Sequence, residues 1–157
     1  MNKYFYFIFP KQANNIYDRN NLAVWGFYPI LIIYIFRSCM HLMNETAGLV
    51  PIATIKPLPI IGNIDPNNLV YLFASLWGGS QVIITLLISL FFFRYRSLMS
   101  LIWLIVIIDI PLRLISGYLH PLTYEYFISK PPGQVYQIPV LIYSLIMFML
   151  SLKEVKR

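Results

Sequence analysis

Four long apolar runs, separated by short polar stretches, make up most of this chain. The first, LAVWGFYPILIIYIFRSCMH, extends from Leu22 to His41. The second, LVYLFASLWGGSQVIITLLISLFFF, covers Leu69 to Phe93. The third covers Leu98 to Leu119, and the fourth and shortest covers Tyr136 to Leu152. About 20 residues at 1.5 Å each cross the roughly 30 Å of hydrocarbon in a bilayer. Amides in that medium have no water to bond, so each run is predicted to be a helix despite its many β-branched and aromatic residues. The expected fold is all-α: one integral membrane domain over residues 1–157, a bundle of four transmembrane helices.

Polar and turn-forming residues mark the ends of these rods. Asp65 followed by Pro66 is a helix start, a carboxylate cap and then proline at the first helical position. RYR at 94–96 ends the second span, Pro121 closes the third, and KPPG at 130–133 is a turn before the fourth. Pro29 and Pro139 lie inside the first and fourth spans, where they kink a helix or mark its first turn. The opening MNKYFYFIFPK has an apolar stretch too short for a signal peptide, and no small-residue cleavage site follows it. It is predicted to be retained and to lie at the membrane interface with its aromatics down.

The loops differ in kind. The first, Leu42 to Asn68, is apolar yet carries Pro51, Pro57, Pro59 and Pro66. It cannot be a helix, so it must lie over the mouth of the bundle or pack against a partner. The third offers Tyr124, Tyr126 and Phe127, residues suited to the lipid–water boundary.

Composition agrees with a lipid solvent: 59% of residues are apolar and 11% charged, against about 25% charged in soluble domains. The formal charge of +6 does not point to nucleic acid, because the basic residues fall at the ends of apolar runs. Lys3, Lys11, Arg19, Arg94, Arg96, Lys153, Lys156 and Arg157 share one face of a four-span arrangement. Only Lys56 and Lys130 occupy the opposite loops. The positive-inside rule then places both termini in the cytoplasm and the Pro-rich loop outside. Cys39, the single cysteine, excludes an internal disulfide and is expected to be a buried structural thiol.

Several polar residues lie inside the spans, where an unpaired charge costs on the order of 3 kcal/mol. DIPLR, residues 109–113, puts Asp109 and Arg113 one turn apart on the same helix face. Pro111 between them frees the Ile107 carbonyl for a neighbouring Arg or Gln. Gln81 sits near the middle of the second span beside Gly78, Gly79 and Ser80. There Ala74/Gly78 and Ser75/Gly79 form small-xxx-small pairs that allow close helix packing. Arg37, His41 and Glu45 recur every four residues at the end of the first span, and His120 ends the third at the same level. Together with Asp109, Arg113 and Gln81 they are expected to form one polar cluster in the outer half. Its plainest role is to neutralise charge and fix helix register. His41 and Glu45 at i, i+4 are the only spacing suggestive of a metal, and no metal signature is complete. Acid–base chemistry on a lipid-soluble substrate, or an ion path through Asp109, Gln81 and Arg113, has its ingredients here. The apolar cytoplasmic half of every span speaks against the ion path. No nucleophile elbow, phosphate loop or paired-cysteine motif is present, the sequence leaves any cofactor unknown, and NET at 44–46 matches a glycosylation sequon.

Four short spans carrying WGGSQ, RYRSL and DIPLR resemble the small four-helix bacterial inner-membrane proteins of the DoxX-like type. The resemblance covers residues 22–152, and the long Pro-rich first loop departs from it. It implies a helical bundle in the plasma membrane and carries no catalytic residue over. The first functional expectation is a non-enzymatic accessory subunit, docking other membrane subunits through its small-residue faces and apolar loop. The second is a pocket around Asp109 and Arg113 that binds or isomerises a lipid- or quinone-like molecule.

Overall fold

A computed structural model describes residues 3–154, so Lys156 and Arg157 of the charge count lie outside the described residues. The described chain is helical and contains no strand; helix makes up 67% of the structure. A short α1 (Lys3–Ile8) leads through an extended segment to α2 (Leu22–Trp25) and α3 (Phe27–Met43). Then follow α4 (Asn67–Arg94), α5 (Met99–Leu119) and α6 (Pro132–Ser151). Four stretches are long and apolar enough to cross a membrane: Leu22–Met43, Asn67–Arg94, Arg96–Leu119 and Pro132–Ser151.

The boundaries explain themselves locally. The second helix starts at the expected place but one residue later than the pattern implies: Pro66 occupies the cap position, α4 begins at Asn67, and Asp65 Oδ1 accepts the Asn67 amide at 2.9 Å from just before it. The fourth span begins earlier than its apolar pattern implies, because Pro132 of the KPPG turn is already its first helical residue. Where the pattern predicts one rod from Leu22 to His41, the helix breaks at Gly26. Pro29 has no amide to offer the Trp25 carbonyl, which loosens this turn. Carbonyls on either side of the break are used by neighbours: Trp103 Nε1 donates to Ala23 O at 3.0 Å, and the Tyr143 hydroxyl donates to Gly26 O at 2.7 Å. A Cβ at residue 26 would lie 2.7 Å from the Tyr143 hydroxyl, so glycine is what lets α6 approach.

The core is lopsided. Its buried apolar side chains, including Phe27, Ile88, Phe92, Met99, Ile102 and Trp103, gather at the end of the bundle that carries the chain termini. Phe27 packs on Phe92 at 5.0 Å and edge-on to Trp103 at 5.5 Å. Below them lies a polar knot around Arg19. Its guanidinium donates to Phe7 O, Ser100 Oγ and Ser97 O at 2.8–2.9 Å. Ser151 Oγ donates to Ser100 Oγ at 2.9 Å, adding the end of α6. Counted by its sequence as a solvated topology charge, Arg19 is in fact buried. Lys3 and Glu154 pair at 2.6 Å, so both ends of the described chain lie together.

At the other end the loops close over the bundle. Loop one and loop three pair as short extended segments: Lys56 N donates to Tyr126 O at 2.8 Å and Ile128 N to Thr54 O at 2.7 Å. Cys39, expected to be buried, is exposed on α3; it lies on the face turned away from the other helices, where a thiol needs no partner.

The closest helix crossing is α3 on α4. A Cβ on Gly78 would lie 2.5 Å from the His41 carbonyl carbon, whereas one on Gly79 meets only Leu42 Cδ1 at 3.8 Å. Gly78→Ala is expected to push backbone against backbone and destabilise the fold by about 1–3 kcal/mol. Gly79→Ala is expected to be near neutral. Unfolding in mixed micelles at increasing denaturing detergent checks the contrast, and equal effects would refute the close crossing.

A second expectation concerns pH. Burial pushes the Tyr17 hydroxyl from 10.0 up to about 12 and the neighbouring Arg19 guanidinium below its ordinary value. The folded state holds the Tyr17 proton more tightly than the unfolded chain does. That stabilisation is complete below pH 10 and is lost as pH rises towards about 12. Tyr17→Phe should therefore lose less stability over this range than the parent protein. The comparison separates the tyrosine from Arg19, whose shift acts with the opposite sign. Parallel alkaline unfolding curves would contradict it.

Candidate functional site

Between α3, α5 and α6, in the half of the bundle nearer the loops, lies a recess of about 430 Å³. Its walls are mostly apolar, with Tyr34, Arg37, Asp109, Arg113 and Gln137 facing it; Ile52 of loop one and Pro132–Gly133 border it on the loop side. The recess exists because the aromatic core stops at about the level of Val106 and Ile110. Beyond that level charged side chains replace apolar ones and the helices are no longer held by packing alone.

Its floor is a shared carboxylate. Asp109 Oδ2 pairs with Arg113 Nη2 one turn along α5 and accepts the Tyr34 hydroxyl of α3 at 2.8 Å. The expected i, i+4 pair is present, and Tyr34 ties it to a second helix. Arg37 belongs to a separate pair, donating from Nη2 to Gln81 Oε1 of α4 at 2.6 Å. Its guanidinium also lies 5.6 Å from the Tyr34 ring centre and 5.3 Å from that of Trp77. No side-chain hydrogen bond reaches the Ile107 carbonyl among the described residues. Arg37 and Gln81, the types expected there, are engaged with each other.

The rest of the expected cluster does not converge. His41 is buried, but its ring packs on Trp77 at 4.7 Å and its Nδ1 lies 2.7 Å from Ala47 O. A carbonyl can only accept, so Nδ1 carries the proton and His41 fastens the start of loop one. Glu45 and His120 are exposed, because α3 and α5 have ended at Met43 and Leu119 and the chain emerges there. Among the small residues, Gly78 makes the crossing, Ser75 Oγ donates to Leu42 O at 3.2 Å, and Ala74 and Gly79 sit beside it half-buried. No group of three or more His, Cys, Asp or Glu that could hold a metal occurs among the described residues.

The charge balance of the recess is unequal: two guanidiniums and one carboxylate line it. Arg113 Nε is buried and has no hydrogen-bond partner. The site is therefore rich in donors and one positive charge in excess. It suits a guest that brings an acceptor or an anion at one end and apolar matter at the other. Tyr34, Trp77 and Gln137 escaped the sequence pattern. Tyr34, Arg37 and His41 follow the i, i+3, i+7 rhythm of one helix face, and a mid-span acid needs a donor from another helix. Those were the available signals for Tyr34.

Removing one member of the pair tests whether it acts as a unit. Asp109→Asn leaves Arg113 unpaired and is expected to cost on the order of 3 kcal/mol. Adding Arg113→Met should restore most of that loss. Detergent-unfolding measurements on the single and double variants decide, and a double variant no better than the single would mean the pair is not coupled.

No family model matches the chain, and no curated protein or solved structure matches it.

Proposed function

We propose that this protein is a non-enzymatic membrane protein that binds an amphiphilic small molecule of lipid or quinone type. The head of the guest sits against Arg37 and Arg113 and its tail leaves between the helices. One observation carries the reading: an apolar-walled recess in a membrane-type bundle holds two guanidiniums against one carboxylate. A surplus charge at this depth is costly unless something answers it. The rim residues Ile33, Phe36 and Tyr136 are exposed, which gives an acyl or isoprenoid chain a sideways exit. Asp109 is held by Tyr34 and Arg113, an arrangement suited to shaping a binding site rather than to moving protons. The basic residues near the termini favour cytoplasmic ends and a loop-bearing face turned outward. The recess would then open to the outer leaflet of a plasma membrane, the setting that the DoxX-like pattern also implies.

A second reading, an accessory subunit of a larger membrane assembly, is favoured by a different feature. Ile60, Ile61 and Ile64 crowd an exposed turn of loop one, each at least 67% exposed, beyond the ends of the spans. Lipid chains do not cover such a position, and a partner protein would.

Mass spectrometry of the lipid extract from gently purified protein tests the first reading. A species enriched over the bulk lipid, with an anionic or carbonyl head, is expected. Arg37→Gln should lower its retention about tenfold, while Tyr124→Ser on the exposed loop leaves it unchanged. An extract with bulk lipid composition, together with migration as part of a larger complex on sizing, would favour the subunit reading instead.

A further inference from the structure

A second cavity, of about 450 Å³, lies at the opposite end of the bundle, beside the chain termini. Asn15, Tyr17, Asn21, Trp25, Tyr28 and Arg96 line it, joining the segment before α2, the α2–α3 break and the α4–α5 connection. Its character is the reverse of a lipid-filled groove: apart from Val24 the walls are amide, phenol, indole and guanidinium, with no carboxylate among them. Arg96 is its one cation.

Arg96 stands apart from the other arginines drawn into the bundle, each of which has an oxygen to donate to. Arg19 donates to three oxygens, Arg37 to Gln81 and Arg113 to Asp109. The Arg96 Nε is buried with no hydrogen-bond partner, and its side chain forms no ion pair among the described residues. The local fold holds it there. Ser97 N donates to Asn14 O at 3.1 Å and Asn14 N donates to Ser97 Oγ at 3.0 Å. These bonds fasten the turn Arg96–Leu98 against the N-terminal segment and draw the arginine stem into the wall. The Asn21 side chain caps nothing in α2, so its amide remains available. At the mouth, Trp25 is 68% exposed and packs on Tyr28 at 5.6 Å. Such a pair suits the boundary between headgroups and chains.

We propose that this cavity binds the phosphate of an anionic phospholipid, with Arg96 as the charged contact. The guanidinium fork matches two phosphate oxygens, and the Asn15 and Asn21 amides offer further donors. Trp25 and Tyr28 lie against the glycerol and first chain carbons. Basic pockets at the ends of transmembrane helices hold anionic headgroups in this way. The site is independent of the recess between α3, α5 and α6.

The test uses the full chain in phosphatidylcholine vesicles containing a minor fraction of phosphatidylglycerol, extracted gently for native mass spectrometry. The protein is expected to keep one phosphatidylglycerol with about tenfold preference over phosphatidylcholine. Arg96→Gln should abolish the preference, whereas Arg94→Gln, the same charge change on an exposed neighbour, should keep it. Arg96→Lys preserves the charge without the fork and should give an intermediate loss; it decides the matter if Arg96→Gln does not insert. Displacement of the lipid by millimolar inorganic phosphate would overturn the lipid source while keeping the phosphate chemistry. Equal losses in Arg94→Gln and Arg96→Gln, or no preference in the parent protein, would overturn the site.

Discussion

Hydrocarbon provides no hydrogen-bond partner, so a polar group inside a spanning helix must be answered by the protein itself. The Asp109–Arg113–Tyr34 group is where that constraint presses hardest here. Two charges one turn apart on α5 cancel within a single helix, and the Tyr34 hydroxyl carries the same carboxylate across to α3. The Pro29 break follows the same rule. Carbonyls near Gly26 are taken up by an indole from α5 and a phenol from α6, so a local defect becomes an anchor between helices. Register in this bundle is set by such directional contacts, since apolar side chains gain little by leaving lipid for one another.

The two ends of the molecule consequently differ. Near the termini, Phe27, Phe92 and Trp103 fill the interior, and Arg19 gathers the N-terminal segment, the start of α5 and the end of α6 into one hydrogen-bonded knot. Near the loops, charge replaces aromatic packing and leaves an open recess. A close-packed aromatic core beneath a polar recess offers no polar path through the bundle for ions. The α6 helix is the least enclosed, with 6% of its spanning window buried. The span containing α5 is the most enclosed, with 39% of its window buried, so α5 stands at the centre against the α3–α4 pair, and α6 completes a wall that lipid also covers. Closeness in the firm pair rests on Gly78, where backbone meets backbone.

Arginine shows how one residue type divides by environment. Arg19 is buried and donates to three oxygens from its two terminal nitrogens, Arg37 and Arg113 are held within the bundle, Arg94 is exposed, and Arg96 is half-buried with no hydrogen bond or ion pair from its side chain among the described residues. Along the chain, Arg19, Arg94 and Arg96 look alike, as basic residues flanking apolar runs. What separates them is the path of the N-terminal segment, which folds back over the α4–α5 connection through Asn14 and Ser97.

Much of the architecture was legible without coordinates. The number of long helices, their approximate limits, the start of α4 behind Asp65 and Pro66, the i, i+4 pairing of Asp109 with Arg113 and the packing role of Gly78 all follow from spacing along one chain. Spacing determines them because helix geometry is local. The single expected polar cluster came together only in part: Arg37, Asp109 and Arg113 share the recess, while His41 turned to Ala47 and Glu45 and His120 emerged with the helix ends; Cys39, separately expected to be buried, is exposed. Which face of a helix meets which neighbour depends on crossing angle and rotation, and no periodicity within one helix contains either. The tertiary structure alone decided that Tyr34 completes the carboxylate, that Arg37 meets Gln81, and that Arg96 is left open beside Trp25. Each of these joins residues from separate helices or connections, and their approach is fixed by packing rather than by sequence distance.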